Sequence, residues 1–186
     1  MNLEKILKKI AAVLNREKVP YALIGGVAVS YYAVPRATYD IDAVISVKNP
    51  GQLAELIEKL KKEGFSPEKK LKKISGFSFL TVKAGAVLID LFLAEKEFLN
   101  SVLKRKKRVK LLGRIFYFVS PEDLIVLKLL SGRGRDIDDV REILKRKKID
   151  MDYLTKCCGK FGVEIFLEDE IKSLGSGSKN DAGGKK

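Results

Sequence analysis

The stretch that decides the fold is Tyr21–Ser46, which reads YALIGGVAVSYYAVPRATYDIDAVIS. A short apolar run ends at Gly25-Gly26, a segment predicting a helix follows until Pro35, and Asp40-Ile41-Asp42 opens a second apolar run. Glycines between a strand and a helix let an anion approach the unpaired amides of the helix N-terminus, although Gly-Gly is also ordinary turn chemistry. The stretch therefore contains the parts of a site that handles nucleotides.

The two aspartates of this stretch predict a metal site at the mouth of a strand. Asp40 and Asp42 lie two residues apart, so in a strand both carboxylates point to one face. Such a pair can hold two divalent ions about 4 Å apart, an arrangement suited to in-line displacement at phosphorus. The competing interpretation is an exposed strand end that merely carries charge.

A third carboxylate, Asp90, weakens that competing interpretation. It interrupts the apolar stretch AVLIDLFL of residues 86–93, in which both faces of the predicted strand look buried. Because a buried carboxylate without a partner costs several kcal/mol, we expect Asp90 to meet a metal ion or a cation. A structural salt bridge is the alternative.

The composition limits the classes of function that the chain can have. It has 186 residues, enough for one domain with or without a small appendage. It has no histidine, which excludes histidine-based triads and histidine-bearing zinc sites. The net charge of +13 favours a polyanionic partner, while a surface rich in Lys and Glu is also typical of thermophile proteins.

Two further observations concern the compartment. Cys157-Cys158 lack the spacing of a zinc site, and we interpret them as structural. No apolar run approaches the ~20 residues of a membrane helix, and the N-terminal residues do not read as a secretion signal. We therefore expect a cytoplasmic protein without a membrane partner.

Hydrophobic periodicity predicts a small α/β fold, with a mixed sheet flanked by helices and followed by a C-terminal helical segment. The predicted strands are 21–24, 41–47, 77–82, 86–93, 107–112 and 115–119. The predicted helices are 3–17, 26–34, 49–63, one from about 95, 124–130, 136–147, 152–161 and 164–173. The predicted organisation is a catalytic domain over 1–119, a helical segment over 120–174 that packs on it, and a disordered tail over 175–186.

Together these motifs resemble the DNA polymerase beta nucleotidyltransferase superfamily. The resemblance covers roughly residues 1–120 and rests on Gly25-Gly26, Asp40-Ile41-Asp42 and Asp90, which match its glycine turn, its carboxylate pair and its third strand carboxylate. The segments RATYDID and LIVLKLLSGRGRDIDD, at 36–42 and 124–139, are similar to stand-alone nucleotidyltransferases related to abortive-infection (type IV toxin) proteins. The resemblance implies their fold.

It also implies a role for each residue of the motif. Asp40 and Asp42 would bind two Mg²⁺ or Mn²⁺ ions, and Asp90 would help bind the second ion and draw the proton from the acceptor hydroxyl. Gly25 and Gly26 would present amides to the β- and γ-phosphates of a nucleoside triphosphate. Gly26 stands where many members of the superfamily have serine.

Four residues around this motif are predicted to support it. The resemblance implies that Arg36 contacts the triphosphate and that Thr38 orients its hydroxyl beside the metal ions, although both also suit a solvated loop. Lys128 lies inside an apolar helix, where a lysine must snorkel or meet an anion. The resemblance implies that Lys128 and Arg135 bind the triphosphate and that the helical segment closes the cleft.

Asp136 and Asp138 follow the glycine-rich joint of residues 131–134 and are weaker candidates for the site. A cap on the next helix would account for Asp136, and a first-turn position would account for Asp138. Both alternatives stay open at the level of sequence.

The predicted function is metal-dependent transfer of a nucleoside monophosphate from a triphosphate to an acceptor hydroxyl, with release of pyrophosphate. RNA, above all a tRNA end, is the expected acceptor and a protein hydroxyl the second, because the basic clusters at 104–108 and 145–148 could contact phosphate. The resemblance adds a role in a toxin–antitoxin pair, with a cognate antitoxin as partner. The alternative is a non-catalytic nucleotide-binding regulator or antitoxin-like protein on the same fold.

Overall fold

Regular structure accounts for most of the chain in the computed structural model, which describes residues 2–74 and 76–177. Within that part, no helix is long and apolar enough to cross a membrane. The predicted disordered tail lies outside the described residues from position 178 onward. Its first three residues, 175–177, continue the last helix instead.

The strands and helices follow the predicted order of elements. The strands are β1 (Tyr21–Ile24), β2 (Asp40–Ile45), β3 (Ser66–Pro67), β4 (Lys72–Ile74), β5 (Phe77–Ala84), β6 (Val87–Leu93), β7 (Lys107–Leu111) and β8 (Arg114–Phe118). The helices are α1 (Leu3–Arg16), α2 (Gly25–Tyr32), α3 (Pro50–Lys62), α4 (Glu97–Arg105), α5 (Pro121–Ser131), α6 (Gly134–Arg146), α7 (Met151–Phe161) and α8 (Glu164–Gly177).

The helix starts show why these residues form helices where they do. The side chain of Asn49 accepts a hydrogen bond from the Gln52 amide at 2.9 Å, and Pro50 occupies the first position of α3. The side chain of Asn2 caps α1 in the same way through the Lys5 amide. The stripe of buried apolar residues that follows on α1 then fixes the face of the helix that enters the core.

In the described residues, the eight strands form one mixed sheet in the order β3-β5-β6-β2-β1-β8-β7, with β4 pairing β5 off this path. Strand β2 is antiparallel to β1 and parallel to β6, while β6 is antiparallel to β5. The prediction of an α/β fold with a mixed sheet and C-terminal helices is confirmed. The centre of the sheet is therefore built from the strands that carry the candidate residues.

The two faces of the central strands differ in character because side chains alternate along a strand. One face, which we call the core face, is fully buried and apolar. Its members include Ile41, Ala43, Ile45, Leu80, Val82, Ile89 and Leu91. The other, which we call the site face, carries the polar and half-buried residues Asp40, Asp42, Phe79, Thr81, Asp90 and Phe92.

The chain forms two compact units. The first contains Met1–Ala28 and Arg36–Ser120, which hold the whole sheet. The second contains Val29–Pro35 and Pro121–Lys186 and is helical in its described part. In the second unit, α5 packs on α6 and α7, and α8 packs on α6 and α7.

Several boundaries differ from the predicted ones for identifiable reasons. The short strands β3 and β4 were not predicted, since β4 reads KKI and shows no alternation of apolar and polar residues. The hairpin of β5 and β6 turns at Gly85-Ala86, whereas the sequence suggested a turn over residues 83–85. Helix α6 begins at Gly134, two residues before the predicted start at Asp136.

Candidate active site

The register of two parallel strands brings the central carboxylates together. Asp42 on β2 pairs directly with Asp90 on β6, and Asp40 lies two residues before Asp42. Because paired residues and residues two apart share a face, all three carboxylates lie on the site face. Asp42 also pairs with Ile24, the last residue of β1, which brings the glycine turn to the same row.

Two threonine hydroxyls fix the orientation of two of these carboxylates. Thr38 Oγ1 donates to Asp40 Oδ1 at 2.7 Å, and Thr81 Oγ1 donates to Asp90 Oδ1 at 2.8 Å. Thr81 is the cross-strand partner of Asp90 on β5. Each hydroxyl uses one carboxylate oxygen, so the second oxygen of each group is left for another ligand.

The glycine turn is in tight contact with this group. Gly25 has a φ of +61°, in the left-handed region, and a Cβ placed on it would come within 2.0 Å of Asp42 Oδ2. A Cβ on Gly26 would come within 2.5 Å of Thr38 Oγ1 and 3.6 Å of Arg36 Nη1. The predicted residues Gly25, Gly26, Arg36, Thr38, Asp40, Asp42 and Asp90 are therefore brought together in one place.

The close contact of Gly26 with Thr38 gives a structural reason for glycine at position 26, where many members of the superfamily have serine. A Cβ at position 26 would require Thr38, whose hydroxyl donates to Asp40, to shift its position. Glycine at position 26 therefore leaves the space that the Thr38 side chain occupies in this chain.

The electrostatics of the site are those of crowded carboxylates. Burial raises the pKa of Asp90, and the nearby charges of Asp40 and Glu68 raise it further. The Thr81 hydrogen bond and the charge of Lys72 oppose that rise without cancelling it. Within the described part of the chain, neither Asp40 nor Asp90 has a cationic nitrogen within 4.0 Å.

These residues fit divalent metal ions by the chemistry of their donors. Carboxylate oxygens are the ligands that Mg²⁺ and Mn²⁺ prefer, and crowded carboxylates are stabilised when such an ion binds. In residues 2–74 and 76–177, no three acidic or cysteine side chains already converge on a single metal-binding point. The three carboxylates lie on one face, where a bound ion would draw their oxygens together.

Lys128 lies in a different environment, in the second unit. It is 5% exposed, and its Nζ lies 2.5 Å from Asp136 Oδ1 and 2.9 Å from Asp139 Oδ2. Arg133 Nε adds a 2.7 Å ion pair to Asp136 Oδ2. Lys128 does meet anions, as one of the two predicted alternatives had it. These anions are the carboxylates of Asp136 and Asp139. Its role as a triphosphate ligand rests on the resemblance alone.

The two weaker candidates beside it also differ from each other. Asp136 is not the cap of α6, because Arg133 occupies the cap position and Asp136 is buried in the first turn. Burial raises the pKa of Asp136, but hydrogen bonds from Lys128, Arg133 and Ser131 outweigh it and hold the pKa below its ordinary value. Asp138 is exposed and pairs with Arg141 at 3.2 Å.

Arg135 is exposed in the first turn of α6. Its role at the triphosphate stays a prediction from the resemblance.

Sequence reasoning missed four residues that the structure places beside the predicted ones. Thr81 binds Asp90, while Glu68 and Lys72 act on its pKa. Asp139 binds Lys128. The sequence did contain a signal for the pair of Lys128 and Asp139. Each is a charged residue on the predicted buried face of a helix, and the two helices are joined by the short glycine-rich joint.

Comparison with known proteins gives the context for this geometry. Residues 1–173 match a family model described as a nucleotidyltransferase of unknown function, DUF6036. No curated protein matches the chain in sequence.

Solved structures that share the fold include the following three. The crystal structure of ANT(2″)-Ia in complex with adenylyl-2″-tobramycin is 16% identical, with a TM-score of 0.54 over 91% of this chain and 97% of that one. A nucleotidyltransferase-like protein from Paracoccidioides brasiliensis is 18% identical, with a TM-score of 0.54 over 91% and 92%. The lincosamide antibiotic adenylyltransferase LnuA, bound to lincomycin, is 18% identical, with a TM-score of 0.53 over 77% and 98%.

Proposed function

The chain belongs to the DUF6036 family of nucleotidyltransferases, within the polymerase-beta-like superfamily, and from that premise we propose that it transfers a nucleoside monophosphate from a nucleoside triphosphate to a hydroxyl of RNA. The observation that carries the proposal is the pairing of Asp42 with Asp90 on adjacent parallel strands, directly against the Gly25 turn. That arrangement joins a phosphate-binding element to carboxylates in one site.

The triphosphate is proposed to lie on the β1 side of the site. The amides of Gly25 and Gly26 lie at the N-terminus of α2, where the helix dipole favours an anion. Arg36 lies within reach of the same turn and supplies a positive charge, while Thr38 holds Asp40 in place through its hydroxyl. These residues would bind the β- and γ-phosphates and leave the α-phosphate facing the carboxylates.

The reaction follows from the position of the carboxylates. Two Mg²⁺ or Mn²⁺ ions held by Asp40, Asp42 and Asp90 would neutralise charge on the triphosphate and make the acceptor hydroxyl more acidic. Asp90 takes the proton of that hydroxyl. The acceptor oxygen forms a bond to the α-phosphorus, the bond from that phosphorus to the α–β bridging oxygen breaks, and the electron pair leaves with pyrophosphate.

RNA is proposed as the acceptor because the chain carries 37 basic against 24 acidic residues. A tRNA end is the first candidate, and a protein hydroxyl is the second. Two of the structural neighbours named above, ANT(2″)-Ia and LnuA, were solved with an adenylylated or a bound antibiotic, but at 16–18% identity they share only the fold with this chain. Lys128 and Arg135, with Asp136 and Asp138, stay secondary candidates for the triphosphate site.

The test uses each of the four nucleoside triphosphates separately, labelled at the α-phosphate, with Mg²⁺ and with total RNA, tRNA or the protein itself as acceptor. We expect transfer of label to RNA by the wild type. We expect a loss of roughly 1,000-fold or more in Asp42→Asn, since one ligand of both metal ions is removed.

The matched control is Asp169→Asn, which removes an exposed carboxylate on α8 and should leave transfer unchanged. Triphosphate binding without transfer to any acceptor would contradict the proposal and favour the non-catalytic regulator. Transfer to protein but not to RNA would retain the chemistry and replace the acceptor.

A further inference from the structure

The site face continues beyond the carboxylates as a pair of aromatic rings. Phe79 on β5 and Phe92 on β6 are cross-strand partners, two residues from Thr81 and Asp90. Their rings stack with centroids 5.0 Å apart and an interplanar angle of 26°. Because residues two apart on a strand share a face about 7 Å apart, the half-buried rings adjoin Asp90. We call Phe77, Phe79 and Phe92 the aromatic strip, since Phe77 extends it along β5.

Cations line this strip. Lys96 Nζ lies 5.3 Å from the centroid of the Phe77 ring, and Lys72 on β4 is the cross-strand partner of Phe79. Glu68 Oε2 holds Lys72 Nζ at 2.8 Å, and Glu68 Oε1 lies 3.7 Å from Lys83 Nζ. Lys72 thus lies on the outer, β4 side of the aromatic strip, and its charge lowers the pKa of Asp90.

The same edge of the sheet carries a concentration of positive charge. The segment 68–74 reads EKKLKKI, and its lysines are all exposed. We call the four residues Lys69, Lys70, Lys72 and Lys73 the lysine segment. Leu71 and Ile74 are also exposed there, at 44% and 57%, so the segment presents apolar and cationic groups together.

We propose that the aromatic strip and the lysine segment bind the single-stranded end of the RNA that carries the acceptor hydroxyl. The inference rests on the proposed function for the identity of the reaction. Bases of any sequence can stack on aromatic rings while lysines contact the phosphates beside them, which is how single strands are held without base readout.

The position of the strip assigns it to the acceptor rather than to the triphosphate. Gly25 and Gly26 approach the carboxylates from β1, on one side of Asp42. The aromatic strip lies on the other side, on β6 and β5, next to the carboxylate proposed to take the acceptor proton. An acceptor on the strip and a triphosphate on the turn would meet from opposite sides of the Asp42–Asp90 row.

The charge of this edge also selects the class of acceptor. Four exposed lysines within five residues attract a polyanion and repel a polycation such as an aminoglycoside. A single-stranded RNA matches both the charge of the lysine segment and the apolar surface of the strip.

The test measures binding of a fluorescent single-stranded 12-mer RNA by anisotropy across a range of salt concentrations, without a triphosphate. The variant Lys69→Gln, Lys70→Gln, Lys72→Gln, Lys73→Gln should weaken binding at least about tenfold near 0.1 M salt and flatten the salt dependence. The control removes four exposed charges that lie outside every basic cluster named above, in Lys5→Gln, Lys59→Gln, Lys156→Gln, Lys172→Gln. This control variant should lose less than about threefold in RNA affinity.

A second variant tests the aromatic strip. Phe92→Leu keeps an apolar side chain but loses the flat ring, so RNA affinity should fall roughly fivefold or more. Phe166→Leu, at an aromatic residue that is 55% exposed on α8, is the control and should leave affinity unchanged. The unfolding midpoint of each variant shows that the fold is retained.

The outcomes separate this inference from the proposed function. Loss of affinity at the lysine segment and strip, with the two controls intact, supports the inference even if no label is ever transferred. Equal losses in the test and control variants would overturn it. A Phe92→Leu variant that binds RNA normally but triphosphate weakly would assign the strip to the triphosphate base and also overturn it.

Discussion

Two groups of carboxylates in this molecule differ in the groups that bind them: cations in one group and threonine hydroxyls in the other. Asp136 and Asp139 in the second unit are buried and bound by Lys128, with Arg133 on Asp136. Asp40 and Asp90 in the first unit, with Asp42 beside them, are oriented by threonine hydroxyls. We refer to the first as the closed group and to Asp40, Asp42 and Asp90 as the open group.

From this difference we infer that the closed group serves stability, and we propose that the open group serves function. The closed group is neutralised by its own chain, because a buried charge without a partner is costly. In the open group, burial and neighbouring carboxylates raise the pKa of Asp90, and two oxygens are held by donors that carry no charge. We therefore propose that a bound metal ion supplies the positive charge that stabilises the open group.

The largest effect on stability is expected from the closed group. Lys128→Met leaves Asp136 and Asp139 buried without their shared cation, so the free energy of unfolding should fall by about 3–5 kcal/mol. Chemical denaturation measures it. The control is Lys145→Met, which breaks an exposed pair with Glu142 and should cost about 1 kcal/mol or less.

A triple variant refines this prediction. Adding Asp136→Asn and Asp139→Asn to Lys128→Met removes the uncompensated charges, so part of the lost stability should return. A Lys128→Met variant that is as stable as wild type but binds triphosphate weakly would contradict the closed-group account and support the role implied by the family resemblance.

The pH dependence of stability should come from the closed group as well. The folded protein holds the pKa of Asp136 below its ordinary value, so its contribution is present at neutral pH and is lost as pH falls through that lowered pKa. Asp136→Asn should cost roughly 1–3 kcal/mol at pH 7 and progressively less toward pH 3. Denaturation curves at both pH values measure this, and a constant difference would contradict it.

The smallest change in stability is expected at the glycine turn of Gly25 and Gly26, which lies against the open group. Gly25→Ala places a side chain at a φ of +61° and against Asp42 Oδ2, so it should cost about 1–2 kcal/mol in strain and reduce transfer at least about tenfold. Gly85→Ala has a similar φ of +63° but no atom within 4 Å of the new Cβ. It should lose similar stability and keep full transfer activity; equal activities would contradict the proposed contact.

The elements around the open group could be predicted because each has a strong local signal. Strand β1 was predicted to the residue, since four buried apolar residues end at a glycine pair. Asp90 was singled out as a candidate because a lone charge in an apolar strand has few explanations. The prediction that Asp40 and Asp42 share a face is confirmed by their register with β6.

The partners of these residues depend on register and on tertiary packing, which the sequence encodes less directly. A turn over 83–85 would have shifted β5 by three residues against β6 and paired Asp90 with Ser78 rather than Thr81. The partners of Lys128 depend on the packing of α6 on α5, which brings Asp136 and Asp139 to its ammonium group. The fit of Gly26 to Thr38 likewise requires the folded loop.

We propose that the open group binds a metal ion and that the closed group does not. Electron paramagnetic resonance of Mn²⁺, with triphosphate analogues whose α–β bridge cannot be cleaved, measures this directly. We expect bound Mn²⁺ in the wild type and in Asp136→Asn, and its loss in Asp42→Asn. Mn²⁺ bound equally by wild type and Asp42→Asn, or by neither, would contradict the central claim.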